Sequence, residues 1–270
     1  MFVVFIVLII FGYAISFAFE PGYFFIIMIF AIIFSISYIL ISYYNSAKIA
    51  IASVGAKRAS RSEHKEYYRL VEGLTIASGL PMPELYVMPS KQINAFASGR
   101  DPQHAVVCVT AGALEKFDRR ELEGVLAHEL SHVANYDVRY MTLVAVMVGM
   151  VAIISEIFLR SLWFRNRDDK GKGVYILIGV VLAILAPIVV KLVQLSISRK
   201  REYASDATAV KFTRYPDGLI NALKKIKNDL VKPEKQVSKA VAPMFFANPF
   251  KGLTSTHPPI EERIKKLERM

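Results

Sequence analysis

The sequence predicts a mainly α-helical integral membrane protein with a small β-sheet between its hydrophobic runs. Three observations carry that expectation. Hydrophobic residues make up 54% of the 270, and mean hydropathy is +0.37, more apolar than an ordinary soluble domain. The apolar residues gather in four runs, 1–19, 23–44, 140–159 and 174–198, each long enough to cross about 30 Å of hydrocarbon as a helix. Between the second and third runs lie three short segments of strand character. The formal charge is +11. A basic balance suits nucleic acid or an anionic membrane, and here the apolar runs decide for the lipid bilayer, with no nucleic-acid partner expected. The single cysteine, Cys108, excludes a disulfide framework within the chain.

Residues 1–19 are almost wholly apolar, and Glu20-Pro21-Gly22 breaks the run before 23–44. The first run lacks a basic start and a second follows at once, so the pair is expected as an uncleaved hairpin anchor. Lys48, Lys57, Arg58, Arg61 and Lys65 follow it, which puts that flank and the N-terminus in the cytoplasm. Residues 64–79 carry Tyr67, Leu70, Val71, Leu74 and Ile76 as a helical stripe, with Gly79 as the stop. Strand-like runs follow at 84–88, 93–97 and 105–110, with Gly99-Arg100-Asp101-Pro102 as a turn between the last two. Asp118 is placed to cap the next helix, and Glu121 completes a capping box.

Further on, the stretch 160–173 carries five Lys and Arg residues. Full crossing of both flanking runs would put this basic stretch outside, so whether they cross completely stays open. Glu156 and Lys191 read as snorkelling side chains, with a polar path through the membrane as the alternative. Residues 207–231 are expected as one helix, with Leu219, Ile220, Leu223 and Ile226 opposite Lys224, Lys225 and Lys227. That lysine side is a solvated face or, alternatively, a contact for anionic lipid heads. Residues 232–250, with three prolines and the patch Met244-Phe245-Phe246, read as a mobile loop near the site, a lid or a membrane-surface contact. Residues 260–269 form a short amphipathic closing helix.

The chemistry concentrates in Val125-Leu126-Ala127-His128-Glu129-Leu130-Ser131-His132. Histidines four apart share one helix face, so both imidazoles can point at one metal ion. Glu129 stands about 100° around the helix from His128. That suits it less as a third ligand than as a base leaning over a water at the ion. Zinc suits imidazole donors and, in catalytic sites, keeps a position for water whose pKa it lowers towards about 7. The glutamate then takes the proton. This is the H-E-x-x-H pattern. Leu122, Val125, Leu126, Leu130 and Val133 make the helix largely apolar, where two histidines and a carboxylate are costly to bury without a partner such as a metal.

A third ligand follows from chain length. If 121–160 and 174–210 are antiparallel helical arms, the turn between them centres near residue 166. The two histidines average position 130, and Glu202 lies equally far beyond that turn. With a constant rise of about 1.5 Å per residue, the arms return Glu202 to the height of the histidines. Asp206, one turn on, is placed to accept the free N–H of a ligating histidine.

His128-Glu129-Leu130-Ser131-His132 together with Ser198-Arg199-Lys200-Arg201-Glu202-Tyr203-Ala204-Ser205-Asp206 resembles the HtpX-type membrane zinc metalloproteases, to which the CAAX-prenyl endopeptidases are related. Asn94-Ala95-Phe96-Ala97, the terminal Thr256-His257-Pro258-Pro259-Ile260-Glu261-Glu262-Arg263-Ile264 and the hydrophobic N-terminal hairpin agree with it. The resemblance covers nearly the whole chain. It implies a gluzincin-type zinc endopeptidase domain with one Zn2+, held by His128, His132 and Glu202, with Glu129 as general base and Asp206 behind a ligand. The expected organisation is a transmembrane hairpin at 1–45, a first part of the protease domain at 46–138, a second membrane hairpin at 139–198 and a second part of the protease domain at 199–270. The implied setting is a multi-pass protein of the plasma membrane with its site facing the cytoplasm. The implied substrates are polypeptides, above all misfolded or damaged membrane proteins.

Three further features have physical readings of their own. Asn94 to Ala97 is expected as an exposed edge strand that pairs with an extended substrate by β-augmentation, or as an ordinary sheet strand. His257, before two prolines, can donate to the oxyanion of a tetrahedral intermediate, and Arg263 can do the same or tie the C-terminal helix to the domain. Two other functions stay open: a CAAX-prenyl-type processing protease, and a scaffold that keeps a structural zinc and cleaves nothing. The sequence does not reveal an oligomeric state.

Overall fold

The structure, a computed structural model, describes residues 5–6, 9, 12–13, 24–139, 141, 199–229, 245–246 and 258–270. The chain divides into two units: Met1–Asn45 with Leu143–Val193, and Ser46–Thr142 with Gln194–Met270. The described residues are mostly helical, with one small mixed sheet.

In the first unit, helix α1 spans Phe24–Tyr44. Its 21 residues are long and apolar enough to cross a membrane, about 31 Å at 1.5 Å per residue. Phe25, Ile29, Phe30, Ile33, Phe34 and Ile41 are exposed along it, as hydrocarbon solvent requires. The apolar runs at 1–19, 140–159 and 174–198, the stretch 160–173, Glu156 and Lys191 fall outside the described residues, isolated positions excepted.

The second unit runs α2 (Ser46–Ser53), β1 (Lys57–Arg58), α3 (Lys65–Ser78), β2 (Glu84–Met88), β3 (Ala95–Gly99), a 3-10 turn (Pro102–His104), β4 (Ala105–Thr110), α4 (Ala111–Lys116), α5 (Arg119–Ala134), α6 (Arg199–Thr213), α7 (Pro216–Asn228) and α8 (Ile260–Leu267). The sheet order is β1-β2-β4-β3. β2 runs parallel to β4, while β1 on β2 and β3 on β4 are antiparallel. Helix α3 stops where expected: Gly79 adopts φ 72° and its N–H returns to the Thr75 carbonyl. Asp118 and Glu121 form the reciprocal capping box at the start of α5.

Two expectations are corrected. The ladder of β3 begins at Ala95, two residues late, with Ala95 opposite Val109 and Gly99 opposite Ala105. Ile93 N donates to the Asp229 carboxylate and Asn94 N to Thr110 Oγ1, so side chains hold these two amides. The single helix expected over 207–231 is two helices. Arg214 turns left-handed at φ 53°, and Pro216, which has no N–H to give, opens α7 at its first position. The lysine side of α7 is exposed, as expected, and it also makes contacts. Lys225 donates to Glu121 at 2.6 Å and to the Lys116 carbonyl, and Lys227 pairs with Glu261 at 2.8 Å.

Helix α5 is the centre of this unit. Every residue from Gly124 to Val133 is buried, so the helix is enclosed all round rather than amphipathic. Tyr67, Leu70 and Leu74 of α3, Val107 and Val109 of β4, and Leu219 and Leu223 of α7 share its core. Tyr67 also donates its hydroxyl to the Val107 carbonyl at 3.0 Å. Helix α7 comes close because Gly124 has no side chain: a Cβ there would lie 2.6 Å from Leu219 N.

Candidate metal centre

Burial of α5 forces every polar side chain on it to find a partner inside the protein. His128 and His132 lie four apart, and their rings meet edge to face with centroids 4.8 Å apart. Their Nε2 atoms are 3.1 Å from each other. Helix α6 brings Glu202 to them: its two carboxylate oxygens lie 3.7 Å from His128 Nε2 and 3.7 Å from His132 Nε2. The three donor atoms fall within 4.8 Å of one another. Two nitrogens on a tetrahedral zinc, at about 2.05 Å each, would be about 3.3 Å apart, so the donor set fits a metal ion.

The charge balance agrees. Glu129, Asp137, Glu202 and Asp206 are buried around the imidazoles, and one fully buried cation, Arg263, faces them. Four carboxylates against Arg263 and the partly exposed Arg201, 3.6 Å from Asp137, leave an excess of negative charge that a divalent cation would offset. Glu129 lies beside His128 on α5, 2% exposed, and is not among the three converging donors.

Each imidazole is steered from behind by its own carboxylate. Asp206, one turn after Glu202, accepts from His128 Nδ1 at 2.9 Å. Arg263 of α8 binds the same carboxylate through Nε at 2.9 Å and Nη2 at 2.7 Å, and its Nη1 is 3.7 Å from Glu202. Arg263 is therefore turned towards Asp206 and ties the C-terminal helix to α6. His132 Nδ1 is 3.0 Å from Asp137 Oδ2 and 3.1 Å from Ser205 Oγ. With a metal held at the centre, these contacts would set the tautomers, with Nδ1–H pointing back to a carboxylate and the Nε2 lone pair facing the ion.

The two rings are held differently. Burial, and then the Arg263 charge, push His128 down to about 4 against the pull of Asp206. For His132 burial acts the same way, but the hydrogen bond to Asp137 and the charges of Glu202 and Glu129 outweigh it and raise it. Burial opposes ionisation of Asp206 too, yet Arg263 and the His128 hydrogen bond hold it at about 2.

The structure thus brings His128, His132, Glu202, Asp206 and Arg263 together, with Glu129 on the same buried helix. His257 lies outside the described residues. Asn94, Ala95, Phe96 and Ala97 are buried, which corrects the expectation of an exposed strand. β3 is the edge strand, but Phe245 bridges to Phe96 and Phe246 N donates to the Ala95 carbonyl at 2.8 Å. Asp137 and Ser205 are site residues that sequence reasoning missed, while Phe246 belongs to the apolar patch it placed near the site. For Asp137 a signal existed in its place five residues after His132. Tyr136 adopts φ 60° just past α5, and this left-handed step doubles the chain back towards the imidazole. Ser205 precedes Asp206 on α6, and the Phe246 ring meets His128 across more than a hundred residues.

The centre lies inside a stretch that matches a known family. The profile of Peptidase family M48 matches residues 61–270. The chain is 44% identical over 274 residues to a protein named Protease HtpX homolog from Dictyoglomus thermophilum, covering 100% of this chain and 89% of that protein. It is 44% identical over 270 residues to the like-named protein of Caldanaerobacter subterraneus subsp. tengcongensis, covering 93% of this chain and 90% of the other. Among solved structures, the crystal structure of S. mikatae Ste24p shares the fold with a TM-score of 0.55 at 18% identity, over 96% of this chain and 61% of that one. The chain thus spans about three fifths of Ste24p. With three residues positioned to hold a metal inside the matched region and relatives this similar over about nine tenths of their length, the chain belongs to peptidase family M48 and is a metalloprotease.

Proposed function

We propose that the protein is a membrane-bound zinc endopeptidase in which His128, His132 and Glu202 hold one Zn2+ and Glu129 is the general base. The observation that carries this reading is the convergence of three buried donors within 4.8 Å, two of them on a helix that also carries a buried glutamate. Zinc, when bound, supplies Lewis-acid activation of water and of the scissile carbonyl. The Glu129 carboxylate takes the proton of the attacking water and passes it to the leaving amine. Asp206 and Asp137 keep the Nδ1 protons of His128 and His132 pointed away from the centre, so each ring presents Nε2. His257 donates to the developing oxyanion.

The substrates are polypeptides, in particular misfolded or damaged membrane proteins. Support comes from the apolar α1 and from the Protease HtpX homologs that this chain resembles over its full length. The further apolar runs make the protein multi-pass, and the basic flank after 23–44 faces the site to the cytoplasm.

The test is metal content and casein proteolysis of detergent-purified wild type beside Glu129→Gln and Glu202→Gln. Glu129→Gln should keep its zinc and lose about 10²–10⁴-fold in rate. Glu202→Gln should lose both zinc and activity. Full proteolysis by Glu129→Gln would end the reading.

A further inference from the structure

An edge strand presents a row of open N–H and C=O groups to any extended chain. On β3 that row is met by two residues from far along the same chain. Phe245 pairs with Phe96 in an antiparallel bridge, and Phe246 N donates to the Ala95 carbonyl at 2.8 Å. The Phe245 ring packs on Phe96 with centroids 5.1 Å apart. The Phe246 ring stands perpendicular to the His128 ring at 4.9 Å, with Arg263 Cζ 4.6 Å over its face. Both phenylalanines are 2% exposed. An antiparallel segment on the edge strand, one side chain against the ring of a metal-facing histidine, is the pose of a peptide bound by strand addition. In that mode main-chain bonds supply affinity and side-chain slots supply selection.

We infer that Phe245-Phe246 stands in the place of a substrate, and that the site selects extended polypeptide segments with a bulky aromatic residue in the slot between the His128 ring and the Arg263 guanidinium. This rests on the endopeptidase reading above and names its substrate class. An aromatic ring gains twice there, from burial and from the cation over its face. A leucine gains burial alone, and an alanine leaves the slot part empty. An aspartate meets a guanidinium already engaged by Asp206 and approached by Glu202, and its own charge is repelled. The same arrangement makes the Phe245-Phe246 dipeptide a competitor that any substrate must displace.

The test uses the zinc-loaded full-length protein in detergent with fluorogenic octapeptides that differ only at one central position, Phe, Leu, Ala or Asp. Casein and Glu129→Gln serve as controls. In parallel, anisotropy follows a fluorescein-labelled Phe peptide on Glu129→Gln, alone and combined with Phe246→Ala. The expected kcat/KM falls about tenfold or more from Phe to Ala and further to Asp. Phe246→Ala should lower KM for the Phe peptide several-fold, Phe246→Leu should fall between it and wild type, and Phe246→Ala should tighten labelled-peptide binding several-fold. Glu129-dependent casein cleavage with no dependence on the central residue overturns the slot and leaves the endopeptidase reading standing. So does unchanged KM in Phe246→Ala and Phe246→Leu together with unchanged anisotropy on adding Phe246→Ala. Absence of Glu129-dependent casein cleavage overturns the endopeptidase reading itself, and the anisotropy arm, which needs no turnover, then decides the slot.

Discussion

His128 and His132 are the same residue type, one turn apart on one buried helix, yet they live in opposite surroundings. Behind His128 stands Asp206, itself clamped by a fully buried guanidinium from another helix. Behind His132 stands Asp137, with Ser205 beside it and Arg201, 28% exposed, 3.6 Å from the carboxylate. The first ring is pushed down to about 4 and the second is raised. The difference teaches that, with burial acting alike on both rings, the charges and hydrogen bonds packed around each one decide the direction of its shift.

The most disruptive way to break the comparison is to remove the cation on the His128 side. Arg263→Met leaves Asp206 buried without its charge partner and should destabilise the protein by about 3–5 kcal/mol. Arg201→Met on the other side, at a partly exposed and longer contact, should cost less than about 1 kcal/mol. Thermal melts of the two variants in detergent check the contrast, and equal losses would erase it. Next come the carboxylates. Asp206→Asn and Asp137→Asn should each weaken metal binding by about 10–100-fold. Asp206→Asn should be the worse, because it also strands Arg263. Competition with a chromophoric chelator measures both.

A subtler pair of tests sharpens the comparison through protons. Near pH 6.5 metal binding should release up to one proton, drawn from His132, and almost none from His128, which is already neutral. Calorimetry in two buffers of different ionisation enthalpy counts it, and Asp137→Asn should reduce the count. In the metal-free protein the two rings should also pull stability in opposite directions. His128 is harder to protonate folded than unfolded, so its contribution is present above pH 6.5 and is lost as pH falls from 6.5 to about 4. His132 is easier to protonate folded, so its contribution is present below 6.5 and is lost as pH rises through its folded value. Asp137→Asn should therefore steepen the acid loss between pH 6.5 and 4 in thermal melts. The smallest effect belongs to Tyr136→Gly, which relieves the left-handed φ of 60° but gives up the stacking of Arg139 on the Tyr136 ring at 4.4 Å. It should shift stability by no more than about 1 kcal/mol in either direction, with metal affinity following the placement of Asp137.

Much of this site is legible because it is written within single turns of helix. The four-residue step from His128 to His132, the neighbouring Glu129, the Asp118–Glu121 box and the Gly79 stop are all relations between residues close in sequence, and helical geometry fixes them wherever the helix lies. Glu202 could be brought to the histidines by counting residues, although the arms that carry that argument lie largely outside the described residues. Pro216 carried a signal that the 207–231 periodicity overrode. The two-residue shift of β3 had none, since Asp229 and Thr110 hold the amides of Ile93 and Asn94 from elsewhere in the chain.

By itself the sequence determined the chemistry on offer: two imidazoles on one face, a base beside them, a distant acid, and apolar runs suited to a membrane. Tertiary structure alone decided which carboxylate stands behind which ring, that Arg263 turns to Asp206, and that Phe245 and Phe246 cover the edge of β3. The physical reason is that helical spacing and capping are set by bonds a few residues long. A buried guanidinium 57 residues from its carboxylate, or a phenyl ring on a far histidine, is set only when the whole core closes around them.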